Sequence, residues 1–361
     1  MLMENSEEKI EQALDAMDKE DYRTSFEIFQ PLAEQGNAKA QFHLGFLYRI
    51  GQGVNQDFQK AYHWYSLSAE QGYAEAQYKV GLMHFKGQAA TKDFKKAFKW
   101  YSLAAKQGDV KAQFNLGVLY RRGLGVPQNH KEAFNWFLLA GEQGYAVSQF
   151  TLGGVYENGD GVAQNYAEAV KWFKFAGEQG YAEAQYKLGW MYYHGEGAPQ
   201  DFQKAYHWYS LAADTGNIKA QFSLGVMYDN GQGVTQDYQK AFKWVSLSAE
   251  KGEVKAQFFL GCMYEEGQGV AQDYTEAVKW YALAAEQGDA MAQSNLGHLY
   301  AEGQVGNQDF IQAHKWFNIA GANKDDGGNK NREAVEKLMT PDQITQAQKL
   351  AREWTEKHRR K

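Results

Sequence analysis

A tryptophan recurs every 36 residues along most of the chain: Trp64, Trp100, Trp136, Trp172, Trp208, Trp244, Trp280 and Trp316. Glutamine keeps the same step from Gln41 to Gln293, and a glycine follows each glutamine four residues later, from Gly45 to Gly297. A period that does not drift over eight copies confines the chain to a repeat architecture. One unit of this size cannot bury its own apolar face, so each must be covered by the next.

Residues 37–72, "NAKAQFHLGFLYRIGQGVNQDFQKAYHWYSLSAEQG", read as one unit. Ala40, Leu44, Leu47 and Tyr48 fall on one stripe at helical spacing. Gly45 inside that helix costs about 1 kcal/mol against alanine, which points to close approach of a second helix, with Ala61 facing it. Gly51 and Gly53 stop the first helix, and Asp57 caps the second. The second helix is expected to run to about Gln71 with Ala61, Trp64 and Leu67 or Ser68 inward, and Gly72 ends it. The chain thus divides into an N-terminal capping hairpin (1–36), eight hairpins (37–324) and a C-terminal segment (325–361). In the last, residues 321–330 are expected to form a polar glycine loop. Thr340 and Pro341 start a closing helix whose face carries Ile344, Ala347, Ala351 and Trp354. The twelve residues "QDFQKAYHWYSL" occur identically at 56–67 and 200–211, four periods apart, as the start of a second helix. That identity fits copying of units within the chain, not two active sites.

The pattern A-x-A-Q-x-x-L-G-x-x-Y-x-x-G-x-G-V-x-Q-D…A-x-x-W…A-x-x-G resembles the Sel1-like repeat, a relative of the tetratricopeptide repeat, over about four-fifths of the chain. The segment "LMTPDQITQAQKLAREW" looks like the closing part of bacterial members. The resemblance implies an all-α, right-handed superhelical solenoid serving as a protein-interaction scaffold or adaptor. Some positions depart from the pattern: His84 in a tyrosine slot, "GQAATKD" at 87–93, "GQVGNQD" at 303–309, and Ser148 for alanine. These are expected to bend loops or loosen packing locally. A cysteine-rich branch of the family staples its repeats with disulfides and includes members that bind β-lactams. With Cys262 as the single cysteine, a β-lactam-binding or hydrolase reading is poorly supported here. A homotypic assembly that stacks exposed repeat ends is a third alternative.

Net charge is −6, which argues against a general nucleic-acid binder. No run is long and apolar enough for a membrane span, and "MLMENSEEKIEQ" has no signal-peptide features. The expected compartment is the cytoplasm, or the periplasm or exterior should the true start lie upstream. One cysteine forbids an intramolecular disulfide.

Catalytic, metal and cofactor motifs are weak throughout, and none is assigned. The Gly-x-Gly segments follow helices and lack the strand that a nucleotide loop requires. The nine histidines form no metal cluster. His63 and His207 read as surface residues beside the tryptophan. "NKDDGGNKN" fails calcium-loop spacing, and "KHRRK" reads as a charged tail favouring its helix C-terminus. Glu265 and Glu266 diverge by about 100° on a helix and read as an acidic surface patch.

A partner protein or peptide is instead expected on the first helices. By resemblance to tetratricopeptide proteins, the slots lining a concave face are Lys39, Phe42, Phe46, Arg49 and Ile50 and their 36-residue equivalents. Those slots carry basic side chains early (Arg49, Lys86, Arg121, Arg122) and acidic ones late (Asp229, Glu265, Glu266), which predicts a bipolar face. They also gather Tyr186, Trp190, Tyr193 and His194 in the fifth unit. Trp190 is one of two tryptophans outside the 36-residue series, and tryptophan and tyrosine are common interface anchors.

Overall fold

The computed structural model describes residues 2–89 and 91–358. Ala90, within the divergent loop 87–93, and the last three residues of the KHRRK tail lie outside the described residues. Among the described residues all regular structure is α-helical. The chain divides into two compact units, residues 1–181 and 182–361. The first holds α1 (Leu2–Asp18), α2 (Tyr22–Glu34), α3 (Ala38–Ile50), α4 (Phe58–Glu70), α5 (Ala74–Lys86), α6 (Phe94–Lys106), α7 (Val110–Arg122), α8 (His130–Glu142), α9 (Ala146–Asn158) and α10 (Tyr166–Glu178). The second holds α11 (Ala182–His194), α12 (Phe202–Asp214), α13 (Ile218–Asn230), α14 (Tyr238–Glu250), α15 (Val254–Glu266), α16 (Tyr274–Glu286), α17 (Ala290–Glu302), α18 (Phe310–Ala322), α19 (Asp326–Glu336) and α20 (Pro341–His358). Within each unit, successive helices pack as hairpins, and each hairpin packs on the next.

The boundaries follow from capping chemistry. Asn37 accepts from the Ala40 N–H at the start of α3, and Asp57 accepts from Gln59 and Lys60 at the start of α4. Gly51 closes α3 in the left-handed conformation, φ +73°, which glycine reaches without penalty. Gly53 has a second duty that the helix-stop reading missed. A β-carbon there would run into the Tyr22 carbonyl at the start of α2, so this glycine lets the loop lie on the preceding hairpin.

Close approach at Gly45 is present, but the side chain against it is aromatic. A β-carbon on Gly45 would stand 3.0 Å from the Tyr65 ring, with the Ala61 carbonyl at 3.1 Å. The expected inward face of α4 is therefore corrected by one residue. Ala61, Tyr65, Ser68 and Ala69 are buried while Trp64 is half-buried, because positions i, i+4, i+7 and i+8 share one helical face. The tryptophans sit at the edge of that face and reach between hairpins. Trp172 on α10, for example, covers Gly141 on α8.

The recurring glutamine is a buried staple. Gln77 Nε2 donates to the Ala69 carbonyl of the preceding hairpin (3.2 Å), and its Oε1 accepts from Gln107 Nε2 at the end of its own hairpin (2.8 Å). The same pair of bonds recurs around Gln41, Gln113, Gln149 and Gln257. Each glutamine thus satisfies a helix-end carbonyl that would otherwise be orphaned.

Two departures from the repeat pattern do not loosen the packing as expected, and the expected C-terminal loop is partly helix. Ser148 is buried and donates to the Phe137 carbonyl at 2.7 Å. His84, 3% exposed, places Nε2 3.1 Å from Tyr62 Oη. Residues 326–336, expected as the later part of a polar glycine loop and the chain beyond it, are helix α19. Gly328 lies against Gly321 of α18, where a β-carbon would meet the Gly321 nitrogen and the Phe317 carbonyl. The two glycines serve a close helix crossing. In α20, Thr340 and Gln343 form a reciprocal capping box, and Ala347 and Ala351 are buried while Ile344 and Trp354 are half-buried.

Candidate functional site

In the second unit a groove of about 420 Å³ opens between α11 and α13. Tyr186, Trp190, Tyr193 and His194 of α11 form one wall, Phe222, Ser223 and Val226 of α13 the other, and Tyr209 of α12 the floor. The four aromatic residues expected in the fifth unit are thus brought together. Trp190 and His194 lie 4.5 Å apart between ring centres, and His194 meets Tyr193 edge-on at 5.0 Å. Trp190 is half-buried and His194 exposed. Tyr193 is held by a hydrogen bond from its hydroxyl to Gln232 Oε1 (2.7 Å) and by edge contact with Phe202. Tyr186 packs on Tyr209 at 5.8 Å, as the same slot does in other repeats, so it builds the hairpin as well as the groove wall.

Charge frames this groove. Lys219 and Lys255 are exposed at its edge, and Glu253 is half-buried beside them. Burial raises the Tyr186 hydroxyl above the ordinary tyrosine range, and the Glu253 charge adds to that. Burial likewise raises Tyr209, with Ser223 hydrogen-bonded to it opposing. Both tyrosines are neutral donors near neutral pH.

The first unit has the equivalent groove between α3 and α5, about 410 Å³, lined by Arg49, Ile50, Tyr65, Lys79 and Lys86 among others. Arg49 and Lys86 therefore share one groove, whereas Arg121 and Arg122 stand exposed at the end of α7. Lys79 was missed by sequence reasoning because its slot was not among those carried over. The signal was present: the 36-residue column His43, Lys79, Asn115, Thr151, Lys187, Ser223, Phe259, Asn295 has no fixed identity, unlike the packing columns on either side.

The acidic slots are less free than the sequence suggests. Glu265, expected as part of a surface patch, is half-buried and accepts from the Tyr281 hydroxyl at 2.5 Å. The Tyr281 hydroxyl thus engages Glu265 within its own repeat. Glu266 is exposed. Asp229 is half-buried, and its carboxyl is raised first by burial and then by the Glu266 charge. Cys262 lies 3.2 Å from Tyr281 Oη, and burial pushes its thiol up to about 11, which leaves little thiolate at neutral pH. His63 and His207 are exposed, each edge-on to its neighbouring tryptophan at 5.2 Å.

Comparison with known proteins bears on how these grooves are to be read. The Sel1 repeat model matches eight consecutive segments, 38–73, 74–109, 110–145, 146–181, 182–217, 218–253, 254–289 and 290–325. Among solved structures, a protective antigen present in uropathogenic Escherichia coli strains, described as displaying an SLR fold, is similar at 32% identity with a TM-score of 0.62. That match covers 97% of this chain and 84% of the antigen. A Sel1 repeat protein from Oxalobacter formigenes is similar at 35% identity with a TM-score of 0.58, over 68% of this chain and 96% of that protein. Among curated proteins none matches the chain.

Proposed function

The chain belongs to the Sel1 repeat family, and from that membership we propose that it is a non-enzymatic scaffold that holds a partner protein by a peptide segment laid along its first helices. One observation carries this reading: the aromatic groove of α11 and α13. Its Trp190 stands in a slot filled by Phe46, Leu82, Val118, Gly154, Val226, Cys262 and His298 elsewhere. The hairpin frame therefore has no need of an indole there. A half-buried tryptophan and a hydrogen-bonded tyrosine present large, rigid area at low entropic cost, as interface anchors do. The lysines at the rim and Glu253 would orient a partner whose charges complement them.

The test is partner retention from a native lysate by wild type and by Trp190→Ala/Tyr193→Ala, with helicity and melting compared by circular dichroism. The expected result is loss of one or more partners by a variant that remains folded. Equal recovery by both proteins overturns the aromatic groove as the anchor.

A further inference from the structure

The repeat provides an internal standard for what its groove floor accepts. In the seventh repeat the Tyr281 hydroxyl donates to the Glu265 carboxylate and accepts from Asn295 Nδ2 at 3.0 Å. Moved back six periods, those three positions are Tyr65, Arg49 and Lys79. The tyrosine is retained, the carboxylate has become a guanidinium, and the amide donor has become an ammonium.

The result is a polar floor left open. Tyr65 is fully buried, the Arg49 guanidinium lies beside its hydroxyl, and no acceptor takes the hydroxyl proton. Arg49 Nε is also buried and unpartnered. Both line the groove with Lys79 and Lys86. Among the charges that bear most on Lys79, those of Arg49, Lys111 and Lys86 are positive and that of Asp109 is negative. Leaving a buried hydroxyl and a guanidinium nitrogen unpaired is costly, and gathering cations around them adds to that cost. Tyr101 also has an unpartnered hydroxyl, but Phe85 and Asn115 occupy the two companion slots, so no cation pair accompanies it.

We propose that the groove between α3 and α5 is a carboxylate-binding site for an acidic side chain or chain end of the bound peptide. One carboxylate oxygen accepts from Tyr65 Oη and the other from Arg49, with Lys79 and Lys86 supplying the opposing charge. The ligand's carboxylate does in the first repeat what Glu265 does in the seventh. This assignment rests on the peptide-scaffold reading and gives that peptide one chemical requirement.

The experiment uses the full chain and a fluorescein-labelled Gly-Ser-Glu-Glu peptide, read by anisotropy at low ionic strength. Its controls are the amidated Glu-Glu peptide, the Gln-Gln peptide with a free end, and the amidated Gln-Gln peptide. Two protein variants are compared: Tyr65→Phe, which installs the residue found at positions 137 and 173, and Arg49→Glu/Lys79→Asn, which installs the seventh-repeat arrangement. Because the repeat already uses these residues in these slots, both variants keep the fold. The acidic peptides are expected to bind, and whichever carboxylate source is preferred identifies the peptide feature. Tyr65→Phe is expected to weaken binding roughly tenfold, as for one hydrogen bond to a charged group, and the double variant to abolish it. Equal binding of the amidated Gln-Gln peptide, or wild-type affinity in the double variant, overturns the site. So does displacement by inorganic phosphate where equimolar acetate has no effect, since that assigns the groove to a phosphorylated group. If acidic peptides bind as described while Trp190→Ala/Tyr193→Ala keeps every partner, the aromatic anchor fails and the carboxylate site survives. The reverse outcome separates them the other way.

Discussion

The two copies of "QDFQKAYHWYSL" do the same structural work and face different grooves. In each, an aspartate caps the helix, an alanine and a tyrosine are buried, and the histidine lies outside on its tryptophan. Tyr65 floors a groove whose walls carry Arg49, Lys79 and Lys86, whereas Tyr209 floors one walled by Trp190, Tyr193 and Phe222. The neighbouring tyrosine pairs differ in the same way: Tyr62 meets His84, and Tyr206 meets the Tyr228 hydroxyl at 2.8 Å. In these two repeats the second helices are the same framework, and the residues that make the grooves differ come from the first helices. A single cation or aromatic at one slot changes a groove without disturbing the hairpin beneath it.

The sharpest way to break that comparison is to treat the two frames as equal. Trp64 and Trp208 occupy the same place in the same twelve letters, yet Trp208 is 8% exposed and Trp64 is half-buried. Trp208→Ala should therefore cost about 3–5 kcal/mol, near the range for a buried aromatic, and Trp64→Ala distinctly less. Urea unfolding with both probes on one curve would check this. Equal losses would mean that identity of sequence, not burial, sets the anchor's contribution. Because solenoid hairpins couple mainly to neighbours, the Trp208 variant should also unfold in more than one phase.

Acid should separate the two regions next. His43, in the first repeat, stacks on Phe29 at 5.0 Å, and burial, aided by the Lys39 charge, lowers its pKa to about 4. The unfolded chain takes up that proton near pH 6.5, so the unfolded state binds more protons between these values. Stability is thus intact above pH 6.5 and falls as the pH drops toward 4, by on the order of 2 kcal/mol. His43→Phe, which copies Phe259 of the seventh repeat, should flatten that slope in urea midpoints measured at pH 7, 5.5 and 4.5. An unchanged slope would assign the acid sensitivity to other groups.

Period, hairpin boundaries and caps were legible because each depends on local chemistry that recurs along the chain, and the aromatic cluster of the fifth unit was legible because Trp190 departs from that recurrence. What sequence missed was geometry between elements. The phase of α4 slipped by one residue because tryptophan is the conspicuous letter, while the deepest residue varies among tyrosine, phenylalanine and valine. Gln41 and its equivalents were counted without a role, since their partners are backbone carbonyls that carry no sequence signature. Glu265 read as surface charge because its partner, Tyr281, lies on the facing helix. Lys79 stands in a variable column that the slots implied by the tetratricopeptide resemblance do not include.

Two smaller effects sharpen the comparison further. Gln71 ends the first repeat with a bond to Gln41 Oε1 at 2.8 Å, whereas Thr215 in the same place of the fifth repeat turns back to the Ala212 carbonyl. Gln71→Thr should make the first hairpin end like the fifth at a cost of about 1 kcal/mol, the net worth of one such bond. A chemical melt unaffected by the change would show that the Gln71–Gln41 half of the staple contributes nothing.

The least effect is expected in the loops that flank the two grooves. Position 233, beside the aromatic groove, is a glycine at φ +69°, while its counterpart beside the basic groove is Ala89 at φ +56°. A β-carbon in that conformation costs roughly 1 kcal/mol, and glycine would relieve it while gaining freedom in the unfolded chain. The two terms oppose, so Ala89→Gly should stabilise the protein by about 0.5 kcal/mol, read as a small rise in the urea midpoint at constant slope. Carboxylate binding should stay unchanged, because Ala89 contributes no side-chain polar group to the floor. A drop in stability would mean that the alanine methyl packs well enough against its partly buried surroundings to outweigh its own backbone strain, and the basic groove would then owe part of its shape to that methyl.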